Sequence, residues 1–277
     1  MILDRPTLAV FVLTTITIAS FPAPNPSSDA APAIVQQTSP KKTGKSKPAP
    51  QPVPHDVAVP FRVGEILKYQ VSWSAFATAA NVEITIPERR ELYGWQTWHF
   101  RAAAHTISPV RTLFAIDDQF DSYTDAATFE SRQYENYLNE MGRKLDQQWR
   151  FVAAGQTPRA PGPAVIVSPG TRDPVGVFYG LRAVDWQKTP DIQWSVYDGR
   201  NLYDMRAKLE AQNDSETVPA GKFSTSRIAI HLFQHNQEVS GINFIAWIAS
   251  DSARTPVLMK AELPFGSLQV QMVSATR

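Results

Sequence analysis

Side chains at 203–210 and 257–263 alternate with a period of two. Tyr203, Met205, Ala207 and Leu209 interleave with Asp204, Arg206, Lys208 and Glu210. Val257, Met259, Ala261 and Leu263 interleave with Leu258, Lys260 and Glu262. Such spacing gives a strand one apolar and one largely polar face. Strands of this kind assemble into antiparallel sheets with one face on a core or cavity and the other in water.

The same signal runs through the chain from residue 60. Leu67, Tyr69, Val71 and Trp73 alternate with Lys68, Gln70 and Ser72, and Val82, Ile84 and Ile86 with Asn81, Glu83 and Thr85 before Pro87. Further strands are predicted at 98–104, 113–123, 129–138 and 145–151, and from 194 to 273 between turns at Asp198-Gly199, Pro219-Ala220-Gly221 and Gly241. Residues 155–170 read as loop. One segment has helical spacing: Asp173 caps, Pro174 suits the first turn, and Val177, Phe178, Leu181 and Val184 form a stripe, with Arg182 and Asp185 turned elsewhere. The expected fold is mainly β, a large curved antiparallel sheet or open half-barrel with one principal α-helix. It occupies 60–277 as a single domain.

The first 59 residues read differently. Arg5 precedes the apolar run 8–18, and small residues Ala19 and Ser20 precede Pro22. This is the layout of a secretory signal over 1–21, with an uncleaved anchor as the alternative. The run is short for a membrane span, and membrane contact is expected only through this segment if it is retained. Residues 22–59 are rich in Pro, Ala and Ser and carry Lys41, Lys42, Lys45 and Lys47, a composition that stays extended as a linker. The resulting expectation is a periplasmic or otherwise exported protein.

Several chemistries are weakly supported. The chain of 277 residues has no cysteine and a net charge of +1. Disulfides, thiolate metal sites and a cysteine nucleophile are therefore excluded, and no strong field favours nucleic acid. Asp117, Asp118 and Asp121 match a DDxxD string, but that motif binds magnesium from a helix and these flanks read as strand. A solvated acidic edge extending to Asp125 is the expectation. Gly44-Lys45-Ser46 lacks the first glycine of a phosphate loop. His231 and His235 on one strand stand about 13 Å apart, too far for one ion, and His99 and His105 do no better. No Gly-x-Ser-x-Gly elbow is present. No catalytic residue, metal or cofactor is assigned.

The aromatic positions remain. Trp73, Phe100 and Trp149 on strands, with Val177, Phe178 and Leu181 on the helix, are candidate linings of an apolar cavity on the concave face. Ordinary core packing is the competing reading.

These segments together resemble a bacterial family known as domain of unknown function 3108. The opening Pro60-Phe61-Arg62-Val63-Gly64-Glu65-Ile66-Leu67-Lys68-Tyr69 through Trp73, the acidic strand 117–125, and Asp173-Pro174 through Tyr179, Leu181 and Arg182 carry the resemblance. So do Pro219-Ala220-Gly221-Lys222-Phe223, Trp247-Ile248-Ala249-Ser250-Asp251, Arg254-Thr255-Pro256-Val257 and Pro264-Phe265-Gly266-Ser267. The sequence departs from the pattern at Ala79-Ala80-Asn81 and at Ser252. The resemblance implies an exported, mostly β protein and supplies no catalytic residues. The functional expectation is a non-enzymatic envelope protein that binds a lipid or other apolar ligand on the concave face. The alternatives are an envelope scaffold or protein-interaction domain with a filled core and, further off, a hydrolase.

Overall fold

The computed structural model describes residues 58–74, 76–157, 159, 164–264 and 266–277. The expected leader, nearly all of the expected linker with its lysines, and Gly44-Lys45-Ser46 lie outside the described residues.

The elements in chain order are β1 (Ile66–Trp73), β2 (Phe76–Leu92), β3 (Trp95–Thr106), α1 (Val110–Leu113), β4 (Asp117–Asp125), β5 (Ser131–Glu140), β6 (Arg143–Ala153) and β7 (Val165–Val167). There follow α2 (Pro174–Ala183), β8 (Asp191–Tyr197), β9 (Leu202–Val218), β10 (Gly221–Gln234), β11 (Gln237–Glu238), β12 (Asn243–Ala249), β13 (Pro256–Leu263) and β14 (Gly266–Thr276). They form one curved sheet in the order β7-β6-β5-β4-β3-β2-β1-β14-β13-β12-β10-β9-β8, with β11 beside β10. Ile66 lies opposite Thr276, so the first described strand closes against the last. The pairing is antiparallel except between β6 and β7.

Alternation builds the inner face. Leu67, Tyr69, Val82, Ile84, Ile86, Phe100, Ala102 and Phe120 are all buried in one cluster. The helix α2 lies in the curve of the sheet. Its N-terminus is set by Asp173, which accepts from the Gly176 amide (2.8 Å). Val175, Phe178 and Tyr179 join the cluster under β1–β4. Leu181 joins a second cluster with Met205, Ala207, Ile228 and Leu232 from β9 and β10. The helix therefore buries two flanks and acts as a plug, where the sequence predicted one stripe. Arg182, expected to face elsewhere, is fully buried. Close approach sets the position: a Cβ on Gly180 would stand 3.1 Å from Trp194 Cη2.

Four further expectations are corrected. Residues 113–123 are not one strand, because Thr106 Oγ1 donates to the Phe114 carbonyl (2.7 Å) and accepts from the Ile116 amide (3.0 Å). These bonds fold 107–116 back on the end of β3 and include α1, so the strand starts at Asp117. The loop expected at 155–170 contains β7, and His235 lies in the turn beyond β10 instead of on the strand with His231. Nor does every strand keep one wet face: Ala246 to Ala249 and Pro256 to Met259 are buried throughout. The long β9–β10 hairpin folds its tip over β14, where the Ala220 amide donates to the Met272 carbonyl (3.0 Å).

Among the described residues no ladder joins β6 to β8, so the sheet stays open. Side chains span that seam, with Tyr197 edge-on to Phe151 (5.6 Å) and Trp149 (6.3 Å). Arg172 bridges to β8, donating its amide to Ser195 (2.9 Å) and accepting from Tyr197 (2.9 Å).

Candidate functional site

The expected lining residues divide among separate packed groups. Phe100 stacks on Tyr179 at 3.8 Å between ring centroids. Phe61 stands edge-on to Tyr179 (5.0 Å), Trp98 (5.4 Å) and Phe100 (5.7 Å). Phe178 meets Tyr69 and Tyr179 edge-on. Val177 and Leu181 belong to the opposite flank of the helix. Trp149 lies at the seam beside Tyr134 and Tyr197, and Trp73 at the end of β1.

Buried polar groups fix this plug. Arg182 donates to both oxygens of Glu65 (2.5 and 2.9 Å) and to the Ala253 carbonyl (3.1 Å). Asp173 also accepts from Ser122 (2.6 Å) and Ser131 (2.5 Å). Burial raises its pKa, and those hydrogen bonds oppose the rise.

The acidic string divides between faces. Asp117 pairs with Arg111 (2.9 and 2.8 Å) at the surface. Asp121 is buried on the outer face, in a short hydrogen bond with His99 and accepting from Arg101 (2.8 Å) and Gln119 (2.5 Å). Burial opposes its ionisation, yet those hydrogen bonds hold its pKa below the ordinary value. Asp125 pairs with Arg132 (2.8 Å). The expected solvated edge is therefore mostly buried, because β4 lies between β3 and β5 and long side chains cover its outer face. His231 pairs with Glu238 (2.6 Å). Among the described residues no three His, Cys, Asp or Glu side chains stand together for a metal.

Asp118 points inward, on the same face as Phe120 and Ser122. It is 2% exposed, and Oδ1 accepts from the Asn139 amide (2.9 Å) while Oδ2 has no partner among the described residues. Burial, with the Asp117 charge adding, pushes its pKa up to about 6. Glu140 at the end of β5 has an Oε1 without a partner among the described residues, and burial with the Asp118 charge pushes its pKa up to about 7.

Beside these carboxyls the rim of the sheet is apolar. Trp73 stacks with Phe76 (6.0 Å) and meets Phe114 edge-on (6.2 Å). Phe114 is 38% exposed, Leu113 59% and Met141 55%. Met141 is tied to this set, since its amide donates to the Ala115 carbonyl (2.7 Å) and its Sδ accepts from the Ala115 amide (3.3 Å). Of this group sequence reasoning singled out Trp73 alone. The available signal was bulky apolar residues at turn positions, Leu113-Phe114 after Pro109 and Met141 before Gly142. A separate cleft of about 590 Å³ lies by β8–β10, lined in part by Gln193, Trp194, Asp204 and Phe233. Its Asp204 is held by Gln193 (2.9 Å) and Arg206 (3.2 Å).

The chain belongs to the family described as Protein of unknown function (DUF3108), whose model matches residues 68–273. No curated protein matches it. Among solved structures it is similar to a beta-barrel-like protein of domain of unknown function DUF1849 from Brucella abortus, at 10% identity over 79% of this chain and 99% of that one, TM-score 0.48. It is also similar to a Parabacteroides distasonis protein described as a lipoprotein, at 11% identity over 80% and 100%, TM-score 0.38. A Bacteroides fragilis protein described as exported, with a YmcC-like fold, matches at 8% identity over 80% and 100%, TM-score 0.37. No helix among the described residues is long and apolar enough to cross a membrane.

Proposed function

We propose that this family member is an exported, non-enzymatic protein of the cell envelope that binds an apolar chain at the rim formed by Trp73, Phe76, Leu113, Phe114 and Met141. The observation that carries the reading is the exposure of Leu113, Phe114 and Met141 around a partly buried aromatic pair. Solvent-exposed apolar groups clustered beside buried ones are where soluble proteins take apolar partners. Because the helix packs against the centre of the concave face, where the sequence put the site, the reading takes the edge of that face as the binding place. Export rests on the leader-like start of the chain. The non-enzymatic reading rests on the engagement of Asp173, Asp121 and Glu65 in fixed hydrogen bonds and ion pairs.

The scaffold reading is the second, and the close packing of Phe100, Phe178 and Tyr179 favours it. Titration with N-phenyl-1-naphthylamine, an uncharged dye that brightens in apolar surroundings, separates the two. Rim binding predicts saturable fluorescence that Leu113→Ser with Phe114→Ser weakens at least about tenfold, at little expense in stability because both residues are exposed. Absence of saturable binding would leave the scaffold reading.

A further inference from the structure

We infer that the apolar chain taken at the rim carries a primary ammonium head, seated between Asp118 and Glu140. The inference rests on the rim reading and adds the chemistry of the head. Asn136, Leu138 and Glu140 lie on one face of β5, and the register of β4 with β5, Gln119 opposite Tyr137 and Phe120 opposite Asn136, places Asp118 beside that row. Among the described residues two carboxyl oxygens along it lack a donor, Asp118 Oδ2 and Glu140 Oε1, while Asn136 lies against the Tyr134 hydroxyl. Asn136 is 8% exposed and Asp118 2%. Among the described residues neither carboxyl has an ion pair with a cation.

Buried acceptors without donors are unfavourable and rare, and here two neighbour one another. When both carboxyls are ionised, a ligand that relieves them brings N–H or O–H groups. An ammonium has three donors and no acceptor, and its charge favours the ionised carboxylates. A hydroxyl brings one donor, and a carboxylate in the same place brings repulsion. The row also joins the rim directly. Met141 follows Glu140 in the chain, and Ile116, two residues before Asp118, bridges to Glu140. A chain lying on Phe114 and Met141 thus has its head beside the two carboxyls.

The test is displacement of N-phenyl-1-naphthylamine by dodecylamine, dodecanol and dodecanoate below their micelle-forming concentrations. The expected order is amine at least about tenfold tighter than alcohol, with carboxylate weakest. Asp118→Asn with Glu140→Gln should erase the preference for the amine, and retained saturable binding of the uncharged dye at the rim shows that the variant is folded. Equal binding of the three, or a preference that survives in the variant, overturns the inference while leaving the rim reading intact. Failure of the dye and all three compounds to bind overturns both. The head has two sources, a free amine and an ethanolamine lipid. Displacement by lysophosphatidylethanolamine but not lysophosphatidylcholine assigns the lipid, and displacement by dodecylamine alone assigns the free amine.

Discussion

Trp149 on β6 packs directly over Gly199 in the β8–β9 turn, so closely that a Cβ on Gly199 would stand 2.7 Å from Trp149 Cη2. The contact spans the seam between the two ends of the sheet, where no backbone ladder runs among the described residues. Gly199 also sits at φ +98°, a region that side-chain-bearing residues rarely adopt. Gly199→Ala is expected to destabilise by about 1–3 kcal/mol, read from urea unfolding. Adding Trp149→Phe should return part of the loss, since it removes the clash and leaves the backbone strain. No recovery would mean that the ring contact is unimportant.

The Glu65–Arg182 pair joins the segment before β1 to the helix, both side chains fully buried. Removing one charge takes from the other its closest partner; after loss of Arg182, Glu65 keeps only Arg277 at 3.9 Å among the described residues. Glu65→Gln or Arg182→Met alone is expected to lose about 3–5 kcal/mol. Glu65→Leu with Arg182→Met should lose clearly less than the sum, because burial without charge carries no desolvation penalty. A double-mutant cycle on thermal unfolding reads the coupling, and additive losses would deny it.

Phe178 is 3% exposed within the aromatic cluster. Phe178→Ala is expected to lose about 3–5 kcal/mol through lost contact and the cavity left behind. Dye binding at the rim should be unchanged, since Phe178 belongs to the plug. A variant that keeps its stability and loses dye binding would instead place the ligand at the centre of the concave face.

Much of this fold is legible as local periodicity. Leu67, Tyr69, Val71 and Trp73, or Val82, Ile84 and Ile86, state their strand and its inward face, and Asp173-Pro174 states where the helix starts. What local pattern does not contain is the neighbour. Arg182 looks solvent-facing in its own segment, and its partner Glu65 is 117 residues away. Asp118 and Asp121 look like one acidic edge, yet alternation on β4 sends them to opposite faces. The rim is less legible still. Phe76 starts a strand, Leu113 and Phe114 leave a short helix, and Met141 occupies a turn, so no single period links them. They meet because hairpins from distant parts of the chain end at the same edge of the sheet.

Asp118 and Glu140 titrate near 6 and near 7 in the folded protein, above ordinary carboxyls. Between about pH 4 and pH 7 the folded state therefore holds more protons than the unfolded chain. Stability from these groups is full at the acid end and is lost as pH rises through their folded values. Thermal unfolding should show the wild type losing on the order of 2 kcal/mol from Asp118 across this window. Asp118→Asn with Glu140→Gln should flatten that part of the profile. Identical profiles for the two proteins would contradict the raised values.

Photolabelling by a diazirine-bearing dodecylamine, mapped by mass spectrometry, addresses the location of the ligand most directly. Rim binding predicts saturable labels confined to peptides carrying Trp73 and Phe76, Leu113 and Phe114, and Met141, suppressed by unlabelled dodecylamine. Saturable labels on α2 at Val177, Phe178 and Leu181, or labels that excess dodecylamine does not suppress, would contradict it.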